Sequence, residues 1–132
     1  MRKVDKGTPS ESFSEFVKTH PQAGWAETND KSHAWRKHML SCEQHGMSGY
    51  TEEPLHLNRS HIDHFRKRAL FSELIFDWNN LVVDGVDETY GAKFKDKYVE
   101  SRADNDRLIN PVIEDAGRFF KYELNGNISV VS

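Results

Sequence analysis

Cysteine is nearly absent from this chain, since Cys42 is the single one among 132 residues. One thiol cannot form an intramolecular disulfide, so the composition favours a reducing compartment, which we expect to be the cytoplasm. Long apolar runs are also lacking: no stretch of about 18 apolar residues is available to span a membrane. Residues 1–7 do not contain the apolar segment of a signal peptide, so we expect no secretion signal.

An excess of positive charge is missing as well. The formal net charge is −3 with histidine neutral, which counts against tight nucleic-acid binding through bulk charge. A local basic cleft remains compatible with this balance. The length suits a single domain over 1–132, with hydrophobic residues at 36% supplying one modest core.

Hydrophobic spacing and turn residues divide the domain into segments. The expected segments are a loose arm at 1–10, a helical lead-in at 12–45, a core at 56–98 and a C-terminal β-hairpin at 108–130. Within them we expect a helical turn at 12–18, a helix at 31–41, strands at 56–57, 59–65 and 81–83, an ordered segment at 71–78, a turn at 84–87, a helix at 88–98 and a hairpin over 118–130 that turns at 125–127.

The stretch 61–67, with the letters HIDHFRK, is the most informative part of the chain. The carboxylate of Asp63 can hold a divalent metal, and the neighbouring imidazole of His64 can deprotonate a water near neutral pH. Downstream, Asn80 can pin the connecting loop that aims the histidine. Successive side chains of a regular strand point to opposite faces. Asp63 and His64 therefore act at one site only if the strand ends or bulges there.

This arrangement resembles the HNH (ββα-metal) endonucleases, and within them the PtuB nucleases of Septu and retron-associated anti-phage systems. Ordered blocks of sequence carry the resemblance from about Trp25 to the C-terminus. They are Cys42-Glu43-Gln44 ahead of 61–67, the letters FDWNNL at 76–81, LINP at 108–111, RFFKY at 118–122 and Asn125-Gly126.

The resemblance implies an α+β fold, with a ββα-metal core, an N-terminal helical segment and a C-terminal β-hairpin. It implies one Mg²⁺ or Mn²⁺ ion bound by Asp63; Asp87 or Glu88 is the candidate to replace the family's altered final ligand, since hard oxygen donors suit these ions. His64 is then the general base, and Asn80 holds the loop.

Each of these roles has a plainer alternative that the sequence leaves open. His64 can be a structural imidazole bonded to backbone, Asp63 a turn carboxylate and Asn80 a turn asparagine, and Asn79 can replace Asn80 as the loop-holding residue. His61 can contact phosphate or metal, or simply pack.

Basic residues beside the motif are candidates for gripping phosphates. Arg66, Lys67 and Arg68 form one cluster, and Lys93 lies on the expected helix. The alternative is a solvated basic turn.

Two departures from the family pattern bear on metal binding. The family binds a structural zinc through two Cys-x-x-Cys pairs, but here Met39 stands in the first pair, Gly85 and Glu88 stand where the second pair would fall, and only Cys42, with His45 nearby, remains. A tetrahedral zinc site needs four donors, so the sequence predicts no structural zinc. Thr89 also stands near the family's final His or Asn, and threonine is a poor metal ligand.

Two functions therefore compete. The first is a metal-dependent endonuclease that cleaves DNA as the effector of an anti-phage pair with an SMC- or ABC-like ATPase of the PtuA kind, with a retron reverse transcriptase and its DNA as further partners. The second is a catalytically weakened or inactive HNH-like module that binds such an ATPase or nucleic acid. Several aromatic residues outside the minimal core are expected partly to close the domain and partly to dock on the partner: Phe13, Phe16, Trp25, Phe119, Phe120 and Tyr122.

Overall fold

A computed structural model of the chain describes residues 3–28, 31–86, 99–106, 108, 111–112, 120–122 and 128–130. The architecture is mixed α+β, as the sequence predicts, with short helices and two separate pairs of antiparallel strands. Among these residues, no helix has both the length and the apolarity needed to cross a membrane.

Helix α1, Glu11–Thr19, confirms the expected helical turn at 12–18. The hydroxyl of Ser10 accepts a hydrogen bond from the backbone of Phe13 at 3.2 Å, which satisfies one of the amide groups exposed at a helix start. Phe13 and Phe16 are buried on one face of this helix. Their rings pack against Trp35, with centroids 5.0 and 5.5 Å away.

Helix α2, Ser32–His38, continues into a π-helical turn at Met39–Glu43. Trp35 and Met39 are fully buried, as their i, i+4 spacing predicts. They share the main hydrophobic cluster with the rings of α1 and with Leu81 and Val83. The lead-in is therefore one wall of the core.

Strands β1, Ser60–His64, and β2, Leu81–Gly85, pair antiparallel. Asp63 lies opposite Val82, and His64 opposite Leu81. Because side chains alternate along a strand, Leu81 and Val83 face the helices, whereas Asp63 and Val82 belong to the other face.

Two sequence expectations fail around this strand pair. Residues 56–57 are not a strand, since the chain forms a 3₁₀ turn at Leu57–Arg59. Asp84 and Gly85 belong to β2 rather than to a turn. The hydroxyl of Ser48 donates to the Asp84 carboxylate at 2.5 Å, which satisfies a side chain that otherwise disfavours a strand.

The expected loose arm is wrong for the stretch from Val4 to Gly7. The Val4 side chain is buried, and its amide donates to the carbonyl of Pro111 at 2.6 Å. The ammonium of Lys6 lies 2.7 Å from a carboxylate oxygen of Glu43 and donates to the carbonyl of Leu81 at 3.0 Å. These contacts of Lys6 hold residues 4–7 in place against the core.

The C-terminal hairpin is confirmed at the level of its strands. β3, Phe120–Tyr122, pairs antiparallel with β4, Ile128–Val130, so that Phe120 lies opposite Val130. A short helix, α3, spans Arg102–Asp106. The helix expected at 88–98 and the turn expected at 125–127 lie outside the described residues.

Candidate active site at the end of strand β1

A cavity of about 510 Å³ opens at the C-terminal end of β1. Asp63 and His64 both line it, although they are neighbours on β1 and pair with Val82 and Leu81, which belong to opposite faces of the strand pair. Five of the residues singled out from sequence line this cavity. The lining residues are His61, Ile62, Asp63, His64, Lys67, Arg68 and Ala69.

His64 is buried, with 5% of its surface exposed. Its Nε2 lies 2.9 Å from the carbonyl oxygen of Ile75. A carbonyl only accepts, so Nε2 donates, and in the neutral imidazole Nδ1 is then the basic nitrogen. The ring of Trp25 meets the imidazole edge to face, with centroids 4.4 Å apart. These two contacts fix the ring plane.

Asn80 holds the loop that follows His64. Its Oδ1 accepts from the amide of Arg66 at 2.8 Å, and its Nδ2 donates to the carbonyls of Arg66 at 3.1 Å and Leu74 at 3.3 Å. The Asn80 carbonyl also accepts from the Phe65 amide at 2.9 Å. Asn79 is exposed, so of the two asparagines it is Asn80 that has the loop-holding geometry.

The buried carboxylate of Asp63 is the hard oxygen donor of the cavity. Magnesium and manganese prefer such donors and commonly keep waters beside one or two carboxylates, so Asp63 is the described residue of the cavity that would hold one of these ions. No group of three or more His, Cys, Asp or Glu side chains is placed to enclose a metal within the part of the chain that the structure describes. The other predicted ligands, Asp87 and Glu88, lie outside that part, as do Thr89 and Lys93.

The basic cluster divides into two parts. Lys67 and Arg68 line the cavity, and the ammonium of Lys67 donates to the carbonyl of Val99 at 3.2 Å. Arg66 is not among the residues lining this cavity, because its guanidinium lies over the ring of Phe71, 5.2 Å from the centroid.

Sequence reasoning missed two residues that touch the site. Trp25, which the sequence offered as a residue that docks on a partner, packs instead against His64, Trp35 and Phe76 of its own domain. Tyr50 donates its hydroxyl to Oδ2 of Asp63 at 2.5 Å. No periodic signal in the sequence identifies Tyr50, because it lies in an irregular loop.

Six aromatic residues are expected partly to close the core and partly to dock on a partner, and the structure describes the side chains of three of them. Phe13 and Phe16 close the domain's own core, and Trp25 is half-buried against it. The structure does not describe the side chains of the other three, Phe119, Phe120 and Tyr122.

Comparison with protein-family models, with curated proteins and with solved structures finds no match to this chain. Its function is therefore inferred from the site itself.

The region where the resembling family binds zinc is organised by other contacts. Met39 is fully buried in the core, and Cys42 is exposed. The side-chain amide of Gln44 pairs with β2 like a strand residue: Oε1 accepts from the Val83 amide and Nε2 donates to its carbonyl, each at 2.8 Å. These bonds hold the loop after α2 against the sheet.

We predict that no stoichiometric zinc co-purifies with the protein. Cys42 and His45 supply two donors at most, and a tight structural site needs four. Elemental analysis after an EDTA wash measures this, and the Cys42→Ser variant serves as the control, with the same metal content as the parent. One zinc per chain would contradict the prediction and would direct attention to His33, His38 and His56 as donors.

Proposed function

We propose that this chain is a metal-dependent endonuclease of the HNH type that cleaves DNA. The observation that supports this best is the end of β1, where Asp63 and His64 line one cavity together with two cationic side chains. The loop beyond His64 is held by Asn80. A carboxylate that can hold a metal ion, a base, local positive charge and a rigid loop are the parts that metal-dependent phosphodiester hydrolysis requires.

In this mechanism His64 acts through Nδ1. It takes the proton of the water that attacks the phosphate, and the resulting imidazolium keeps its Nε2 hydrogen bond to the carbonyl of Ile75. That carbonyl dipole stabilises the positive charge on the ring. Lys67 and Arg68 draw the phosphodiester into the cavity and orient it. A divalent ion at Asp63 would supply stabilisation of the charge that develops on the phosphate and the leaving oxygen.

A partner forms part of the proposal. The net charge of −3 opposes approach to a polyanion, and among the described residues two cationic side chains, Lys67 and Arg68, line the cavity. Two phosphate contacts correspond to a slope of about −2 in the logarithm of the DNA association constant against the logarithm of salt concentration. The protein therefore suits a complex in which an SMC- or ABC-like ATPase holds the DNA and restrains cleavage until infection, in the manner of an anti-phage pair.

The second candidate is a non-catalytic HNH-like module that binds such an ATPase or nucleic acid. It is favoured by the absence of a three-donor metal cluster among the described residues and by the threonine at position 89.

The test is plasmid cleavage by the purified chain alone and by the chain co-expressed with an ATPase encoded beside its gene. We expect the two proteins to elute together, and we expect the complex to cleave in Mn²⁺ or Mg²⁺ and to be inactive in EDTA. We expect the isolated chain to bind duplex DNA weakly and to cleave slowly.

Other outcomes of this experiment discriminate between the candidates. Full-rate cleavage by a chain that elutes alone would contradict the partner and favour a free-standing enzyme. A stable complex without cleavage in either metal would favour the binding module. Undiminished cleavage in EDTA would exclude the metal-dependent mechanism.

A further inference from the structure

The turn at residues 48–51 is fastened to the face of the strand pair that carries Asp63. The hydroxyl of Ser48 donates to the carboxylate of Asp84 at 2.5 Å and accepts from the amides of Tyr50 at 3.1 Å and Thr51 at 3.2 Å. One side chain thus ties both ends of the turn to β2.

Gly49 brings this turn into direct contact with the sheet. Its amide donates to the carbonyl of Val83 at 3.1 Å. A β-carbon added at Gly49 would lie 2.1 Å from Cγ1 of Val82, so no side chain fits there. Val82 is the residue paired with Asp63. This close contact sets the distance between the turn and the strands, next to Asp63, the candidate metal ligand.

Tyr50 projects from this fixed turn onto Asp63. Its hydroxyl donates to Oδ2 at 2.5 Å, within the range of strong bonds between a hydroxyl and a carboxylate. Its ring packs near Phe65, with centroids 6.5 Å apart. A rigid donor on a buried carboxylate limits the rotation of that carboxylate about its own axis.

We propose that Tyr50 is a positioning residue that holds the Asp63 carboxylate in the orientation in which it binds a divalent cation. The inference rests on the proposed function and adds to it the hydroxyl that orients the metal-binding carboxylate. Carboxylates that ligate metals are themselves commonly hydrogen-bonded, and removing such a partner typically costs about 10- to 100-fold in metal affinity or activity. Tyr50 acts through Asp63 and needs no contact with the substrate.

The experiment is titration calorimetry of the full chain with Mn²⁺ alone, without DNA. The parent protein is expected to bind Mn²⁺, and Asp63→Ala is expected to abolish that binding. Tyr50→Phe keeps the ring against Phe65 and removes only the hydroxyl, so we expect it to raise the Mn²⁺ dissociation constant about 10-fold with an unchanged circular dichroism spectrum. In cleavage assays of the active complex, excess Mn²⁺ should restore the rate of this variant.

Ser48→Ala provides a second variant, since it releases the turn from Asp84 while leaving the phenol in place. We expect it to weaken Mn²⁺ binding in the same direction and less than Tyr50→Phe. If Tyr50→Phe binds Mn²⁺ as tightly as the parent while Asp63→Ala does not bind, the positioning role is wrong and the proposed function stands. A parent chain that binds no Mn²⁺ overturns both.

Discussion

Replacing His64 is expected to lower the rate of plasmid cleavage by about 10²- to 10⁴-fold, the usual contribution of a positioned general base. In the mechanism proposed above, Nε2 of His64 keeps its hydrogen bond to the carbonyl of Ile75, and Nδ1 takes the proton of the attacking water. Single-turnover cleavage by the active complex in saturating Mn²⁺ measures the chemical step.

The choice of variant separates catalysis from folding. His64→Ala removes a buried hydrogen bond as well as the base, and the carbonyl left unsatisfied costs about 1–3 kcal/mol. His64→Gln offers an amide that can donate to the same carbonyl, and it lacks a basic nitrogen. Both variants should lose cleavage, and the glutamine variant should melt closer to the parent.

His33→Ala is the matched control, because His33 is an exposed histidine of α2. It should cleave at the parent rate. Undiminished cleavage by His64→Gln, in a complex that assembles normally, would remove His64 from the mechanism.

The second large effect is expected at the buried ion pair between Lys6 and Glu43. Both side chains are almost fully inaccessible, at 2% and 3% exposure. Glu43 Oε2 also accepts from the amide of Gly7 at 2.8 Å and from Nε1 of Trp78 at 3.0 Å. The Lys6 ammonium lies over the Trp78 ring, 4.3 Å from its centroid. Three distant parts of the chain therefore meet at this pair.

Removing one partner leaves the other as a buried charge without compensation. Glu43→Gln or Lys6→Met is expected to lower the free energy of unfolding by about 3–5 kcal/mol. This corresponds to a fall of roughly 10–20 °C in melting temperature for a domain of this size. Burial lowers the pKa of Lys6 despite the opposing effect of Glu43. In the Glu43→Gln variant Lys6 can therefore lose its proton and become neutral, so we expect the loss of stability for this variant at the lower end of that range. Thermal unfolding followed by circular dichroism measures the change.

The double variant Lys6→Met with Glu43→Gln should lose less stability than the two single changes added together, because it leaves no unpaired charge. Glu73→Gln is the matched control, since it breaks an ion pair with Arg102 in which both side chains are at least half exposed. Water already solvates that pair, so we expect no measurable change in melting temperature. Single variants at Lys6 or Glu43 that melt like the parent would show that the arm contributes nothing to the core.

Much of the local structure follows from the sequence. The spacing of Phe13 and Phe16 predicts α1, and that of Trp35 and Met39 predicts α2, because residues one helical turn apart share a face. Apolar and β-branched runs bounded by turn residues predict β1 and β2 to within a few positions. The order Asp63, His64, Asn80 also predicts a loop held behind a histidine, since that contact closes a short stretch of chain. The sequence by itself determined these elements because each depends on neighbours along the chain.

Only the tertiary structure decided the contacts between distant segments. The bond from Lys6 to Leu81 spans 75 positions, and no periodicity within the arm anticipates it. Tyr50 reaches Asp63 across 13 positions from an irregular turn, whose place depends on the fit of Gly49 against Val82. The cavity at the end of β1 is lined by His61, Asp63 and His64 from the strand and by Lys67 and Arg68 from the turn that follows, and the alternation of side chains along the strand does not predict this grouping. Such contacts depend on how whole elements pack against one another, and side-chain order along one segment carries no record of that packing.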